Sequence, residues 1–139
     1  MKDYLLFNLG GKECLAIDVL YVKEIIKPQQ FHLIPGSTDA IEGCVTVRGI
    51  TVPVINLPRL LFSRDVPLEQ SMVILLDCPE GNYGIKVNSV ACIVRVKDDD
   101  LMPKSGGGKR FTDGVFKQPD NSLVQTLCLS SVLAKAGNR

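Results

Sequence analysis

His32 is the only histidine in the chain, so any Ser-His-Asp or Cys-His arrangement would have to recruit it. It stands in an extended run between Phe31 and Leu33, no local motif carries a nucleophile to it, and it reads as an edge or surface histidine. The five cysteines lie at 14, 44, 78, 92 and 128, an odd count without a C-x-x-C pair. That opposes both a disulfide framework and a zinc ribbon. Cys14, Cys44, Cys92 and Cys128 sit among apolar neighbours and are expected to behave as small buried hydrophobes. Gly106-Gly107-Gly108-Lys109-Arg110 has the ingredients of a phosphate loop but lacks the first glycine at the required spacing. It also puts Arg110 where a Ser or Thr must hold magnesium. Asp98-Asp99-Asp100 has neither the alternating ligands nor the distant Glu of a calcium loop, and reads as a solvated charge run. No pattern asks for a metal or any other cofactor, and none is expected. The chain does not read as an enzyme.

What remains is recognition by surface. Arg48-Gly49 forms the tip between two apolar runs, and Glu24 interrupts the otherwise apolar Val22–Ile26. An arginine on a tight turn presents a planar, permanently charged fork suited to carboxylates. The plainer alternative for both residues is an outward charge on a strand or turn. Sixteen Lys and Arg against fifteen Asp and Glu leave a net charge of +1. Nucleic-acid binding through phosphates needs a clear basic excess. With no Trp, three Tyr and five Phe, little is available for stacking on bases. A single-stranded nucleic-acid-binding barrel is therefore only the alternative reading. The longest apolar run, Met72-Val73-Ile74-Leu75-Leu76, falls far short of a membrane span. The opening residues hold no signal-peptide core, and a cytoplasmic protein is expected.

Short β-prone runs punctuated by turn residues must position these groups, which points to barrels or sandwiches rather than βαβ units. Tyr4–Leu9 and Glu13–Asp18 flank a Gly10-Gly11 turn, Val22–Lys27 follows, and Phe31–Ile34 is a further short extended piece. Gly43–Arg48 and Ile50–Asn56 read as a tight hairpin about Gly49. Leu57–Phe62 has the apolar spacing of a short amphipathic helix, with Pro58 in its first turn. After the polar stretch Ser63–Glu69 the events recur. Tyr4-Leu5-Leu6-Phe7 aligns with Met72-Val73-Ile74-Leu75, and Leu57, Leu60 and Leu61 align with Leu129, Val132 and Leu133. This suggests two similar small β units, residues 1–66 and 67–139, which have too little core to stand apart. Lys97–Arg110 reads as a long excursion between strands of the second unit.

The same positions resemble the CheW family of bacterial chemotaxis coupling proteins. The resemblance runs from Tyr4-Leu5-Leu6-Phe7 through Val22-Lys23-Glu24-Ile25-Ile26 and Ile34-Pro35-Gly36. It is sharpest from Ile41 to Leu57, which is similar to the family's G-V-x-x-x-R-G-x-x-x-P-V-x-D-L hairpin. Tyr83-Gly84-Ile85-Lys86-Val87-Asn88-Ser89-Val90, Asp113-Gly114-Val115 and Leu123–Leu133 resemble its second half. The resemblance implies an all-β chain forming a single CheW-like domain over 1–139. That domain would hold two packed five-stranded SH3-like β-barrel subdomains, short helices after the hairpins and at the C-terminus, and C-terminal residues packing back on the first half. It further implies a non-catalytic adaptor joining the cytoplasmic tips of methyl-accepting chemoreceptors to the regulatory domain of a CheA-type histidine kinase, without nucleic acid or direct membrane insertion. Glu24 and Arg48 match charged interaction positions, Val22 and Ile25 lie beside them, and Met72 and Val73 match positions near the inter-barrel groove. The chain departs from the family at Asn56, Asn88 and Cys128, each standing where the usual residue is Asp. Asn keeps acceptor capacity but loses charge-assisted bonding, and a thiol is a weaker acceptor still.

Overall fold

Tyr4, Leu5, Leu6 and Phe7 are all buried, so both faces of β1 (Lys2–Asn8) must be covered and the strand must lie inside a sheet. The same holds for Val73–Leu76 within β6 (Met72–Cys78). The computed structural model describes residues 1–27, 31, 40–103 and 111–137. Between and after those two strands come β2 (Cys14–Asp18), β3 (Val22–Ile26), β4 (Ile41–Val47), β5 (Ile50–Asn56) and helix α1 (Leu57–Phe62). The second half supplies β7 (Gly81–Val87), β8 (Ser89–Val96), β9 (Met102–Pro103), β10 (Thr112–Lys117), β11 (Leu123–Leu127) and α2 (Leu129–Gly137).

The strands form a six-stranded sheet, β8-β1-β2-β11-β10-β9, and a five-stranded sheet, β3-β6-β7-β5-β4. The expected all-β pair of SH3-like subdomains is what the chain builds, but the sheets do not follow residues 1–66 and 67–139. That boundary separates the two copies of the repeat, and the copies exchange strands. The first two strands of each copy sit with the last three of the other, so β8-β1-β2-β11-β10 repeats the order β3-β6-β7-β5-β4. The parallel contacts repeat as well: β11 runs beside β2 (Gln125↔Leu15), and β5 beside β7 (Val54↔Gly84). A 3-10 turn at Val19–Tyr21, capped by the Asp18 carboxylate on the Leu20 N–H at 2.9 Å, carries the chain from one sheet to the other. Because each sheet needs both copies, neither half can fold off the other.

Strand alternation then sorts the core. Leu5, Phe7, Leu15 and Ile17 meet Ile55, Ile74, Leu76, Ile85 and Val87 in a shared core, which Val132 and Ala136 of α2 close. Tyr4, Leu6, Ala16, Val96, Phe116 and Val124 fill one barrel, and Val45, Val52, Val54, Val73 and Leu75 fill the other. The cysteine expectation needs correcting. Cys78 is the buried thiol and Cys92 is exposed, because β8 lies at a sheet edge and shows most of its side chains to solvent. His32 and the rest of Phe31–Ile34 beyond Phe31 lie outside the described residues, as do residues 104–110 of the Lys97–Arg110 excursion. The described part of that excursion holds a 3-10 turn, Asp98–Asp100, and β9.

The hairpin tip is strained by design of its chain path. Arg48 and Gly49 both have positive φ, 51° and 79°, the pattern of a type I′ loop whose twist matches its strands. Nothing lies within 4 Å of a side chain added at Gly49, so only the backbone conformation resists one. Gly49→Ala is expected to lower stability by about 1–2 kcal/mol in urea denaturation, with Gly49→Asn retaining more because Asn tolerates that region.

Candidate functional site

The type I′ loop turns Arg48 back across the barrel mouth towards β3. Its Nη1 and Nη2 donate to Glu24 Oε1 and Oε2 at 2.5 and 2.9 Å, a fork-to-fork pair. The two residues singled out in the sequence are therefore brought together, and the guanidinium expected to await a partner's carboxylate already holds one. The Arg48 hydrogen bond is the main reason the Glu24 carboxyl lies below its ordinary pKa, and Glu24 raises Arg48 in return. The arginine side chain remains 72% exposed and that of Glu24 24%. Beneath the pair Val47, Val52, Leu75 and Tyr83 line an apolar recess of about 80 Å³. Ile50 is exposed and lines the same recess as the pair, and Ile25, the next residue along β3, is exposed as well.

The other candidate positions separate. Val22 is half-buried against the shared core, and Met72 is half-buried at the start of β6. Val73 is fully buried at 0% exposure among Val45, Val52, Val54 and Leu75. Its side chain serves the barrel interior, not a surface, because it points inward from a central strand.

A second charged group was not anticipated from the sequence. Glu42 Oε1 meets the Lys86 ammonium at 2.6 Å, while its Oε2 lies 3.4 Å from Asn56 Nδ2 and 3.7 Å from Arg59 Nη1. The Lys86 side chain is only 5% exposed. The signal was present, since Lys86 is a cation inside the apolar run Gly84-Ile85-Lys86-Val87, and a buried cation demands a partner.

The departures from the family pattern also find local roles. Asn56 caps α1, its Oδ1 accepting from the Arg59 N–H at 3.2 Å, as an Asp would. Asn88 donates its Nδ2 to the Gln70 carbonyl at 2.8 Å, a bond that an ionised Asp could not make. Cys128 stands immediately before α2, and its sulfur accepts from the Ser131 hydroxyl at 3.3 Å. Among the described residues no group of three or more His, Cys, Asp or Glu is arranged to hold a metal ion. No helix among them is long and apolar enough to cross a membrane.

The model of the CheW-like domain family matches residues 3–137. The chain belongs to that family. Its CheW-like sequence is 28% identical over 123 residues to a chemotaxis protein CheW of Treponema pallidum (strain Nichols), covering 82% of this chain and 72% of the relative. It is 26% identical over 142 residues to a chemotaxis protein CheW of Bacillus subtilis (strain 168), covering 99% and 90%. The CheW-like fold superposes with a TM-score of 0.82 on the crystal structure of the scaffolding protein TtCheW from Thermoanaerobacter tengcongensis. That match has 23% identity and covers 91% of this chain and 88% of the other.

Proposed function

We propose that this CheW-like domain is a non-catalytic cytoplasmic adaptor in chemotaxis or a related motility pathway. It couples the tips of methyl-accepting chemoreceptors to the regulatory domain of a CheA-type histidine kinase. The observation that carries this reading is the exposed Glu24–Arg48 pair, set with the exposed Ile50 at an apolar recess. Apolar surface flanking a positioned charge pair is the composition of a specific, non-obligate protein contact. The kinase's regulatory domain, which has the same fold, packs on this barrel, and the receptor's helical hairpin enters between the barrels near Met72.

The near-neutral charge argues against the alternative, a single-stranded nucleic-acid module. The test is a calorimetric titration of the whole chain with a receptor cytoplasmic tip, with a kinase regulatory domain, and with both. Each partner is expected to bind alone, and the two together to form a ternary complex. Failure of both to bind, with retention of a single-stranded oligonucleotide at moderate salt, would overturn the reading.

A further inference from the structure

The internal repeat builds the frame of the Glu42 cluster twice but supplies its cations once. Glu42 stands on the bulge where Ile41 and Gly43 of β4 pair with Ile55 and Val54. Asp113 stands on the matching bulge of β10, where Thr112 and Gly114 pair with Leu127 and Thr126. The neighbouring strands correspond as well. Val54 and Asn56 of β5 run beside Gly84 and Lys86, and Thr126 of β11 runs beside Ala16. Carried on by two residues, that register sets Cys128 against Asp18, so Asp18 holds the place of Lys86. Leu57 aligns with Leu129, which gives Ser131 the place of Arg59. Lys86, Asn56 and Arg59, which face the Glu42 carboxylate, thus give way around Asp113 to Asp18, Cys128 and Ser131. Two cations have become a carboxylate and a hydroxyl.

Space stands where those cations would be. Asp18, Asp113 and Glu80 line a solvent-open cavity of about 260 Å³, together with Lys2, Tyr4 and Cys128. Asp113 accepts the Thr126 hydroxyl at 2.7 Å and Asp18 accepts the Leu20 N–H at 2.9 Å, which fixes both carboxylates. Lys2 Nζ lies 3.8 Å from Asp18, but its side chain is 57% exposed, a solvated pair that holds little. Among the described residues Asp113 has no cationic partner. An independent feature marks the same cavity. Tyr4 is 5% exposed, and its hydroxyl has no hydrogen-bond partner among the described residues. That hydroxyl lies in the field of Asp18, Asp113 and Asp98. A polar group so enclosed is costly to leave unpaired, and its oxygen can accept an N–H.

We propose that this cavity is a binding site for a guanidinium cation, carried by an arginine side chain or by a free alkylguanidine. Asp18, Asp113 and Tyr4 are its acceptors. A guanidinium spreads five N–H donors over a rigid plane and so can serve two carboxylates and a hydroxyl at once. A metal ion needs its ligands to converge on one point, and no group of three or more His, Cys, Asp or Glu among the described residues does so. The volume falls below the roughly 300–1,000 Å³ of sites for drug-sized ligands, which suits a single charged side-chain end. Glu80, exposed at the rim, would meet a second positive charge on a longer cation.

The experiment titrates the whole chain by calorimetry at low ionic strength with acetylarginine amide, with agmatine and with the neutral isostere acetylcitrulline amide. Both guanidinium probes are expected to bind with a Kd of about 1 mM or below, and the citrulline probe is expected not to bind. Asp18→Asn/Asp113→Asn keeps the acceptors for Leu20 and Thr126 and should weaken the guanidinium probes at least tenfold. Tyr4→Phe, which keeps the ring, should weaken them several-fold. Glu69→Gln/Asp120→Asn removes two exposed carboxylates outside the cavity and should bind like the wild type. A thermal melt of each variant confirms that it is folded. Tighter binding of agmatine points to a free dication that reaches Glu80, and tighter binding of the arginine amide points to a protein side chain. Citrulline binding as strong as arginine binding, no binding of either guanidinium probe, or equal losses in the two double variants overturns the assignment.

Discussion

Glu42→Ala is expected to destabilise the protein by about 3–5 kcal/mol, the usual result of stripping the counter-charge from a buried ion. The Lys86 ammonium has water on almost none of its surface, and Glu42 is its partner at 2.6 Å. Removing the carboxylate also takes an acceptor from Asn56, the residue that caps α1. The reverse change should be milder. Lys86→Met leaves an apolar side chain in an apolar strand, and Glu42 keeps Asn56 at 3.4 Å and Arg59 at 3.7 Å. Glu42→Ala/Lys86→Met together should recover most of the loss, because no unpaired buried charge remains. Urea denaturation of the three variants checks the order. A Glu42→Ala loss no larger than that of Lys86→Met would show that water reaches the ammonium.

The same carboxylate sets a pH dependence. Burial, the largest single influence on Glu42, pushes its pKa up. The Lys86 hydrogen bond and charge, the Asn56 amide and Arg59 together outweigh that and hold the carboxyl below its ordinary range. A carboxyl depressed on folding stabilises the native state fully above its unfolded value, about 4.3. That contribution is lost as pH falls through the folded value. The wild type should therefore lose stability on acidification below about pH 5 more steeply than Glu42→Gln does.

Local chemistry carried the elements well. Helix α1 spans Leu57–Phe62 as its apolar spacing and Pro58 indicate, and the hairpin turns at Arg48-Gly49. Pairing is another matter. Tyr4–Phe7 and Val73–Leu76 announce two doubly covered strands, but nothing in either run says that β1 takes β8 as its outer neighbour and β6 takes β3. That information lies in the reach of the Val19–Tyr21 turn, not in any periodicity. Charges show the same division. Glu24 and Arg48 stand out as ions in apolar runs, yet their meeting across the barrel mouth depends on a twist that places β3 opposite the hairpin tip. Cys92 is exposed for a related reason, since apolar neighbours imply burial only when the strand is not at an edge, and β8 is at one.

Arg48→Ala is expected to shift the melting temperature by no more than about 2 °C and to weaken partner binding at least several-fold. The first expectation follows from exposure: the guanidinium is largely in water, where ion pairs contribute little to folding. The second follows from the pair's position beside Ile50 at the apolar recess, where it sets both the charge and the shape that a partner meets. Glu24→Arg should weaken binding further, because two cations then face each other at the rim of the recess. The charge-reversed double variant Glu24→Arg/Arg48→Glu separates two meanings of the pair. If binding returns, the partner requires the bridge that holds β3 to the hairpin tip, whichever way it is oriented. If binding stays lost while the melting temperature returns, the partner reads the arginine itself, and a complementary carboxylate on its surface competes with Glu24 for the fork. One thermal melt and one titration with the kinase regulatory domain per variant decide between them. An Arg48→Ala protein that melts far below the wild type would instead make the bridge a structural clasp, closing the barrel mouth that the type I′ loop leaves open.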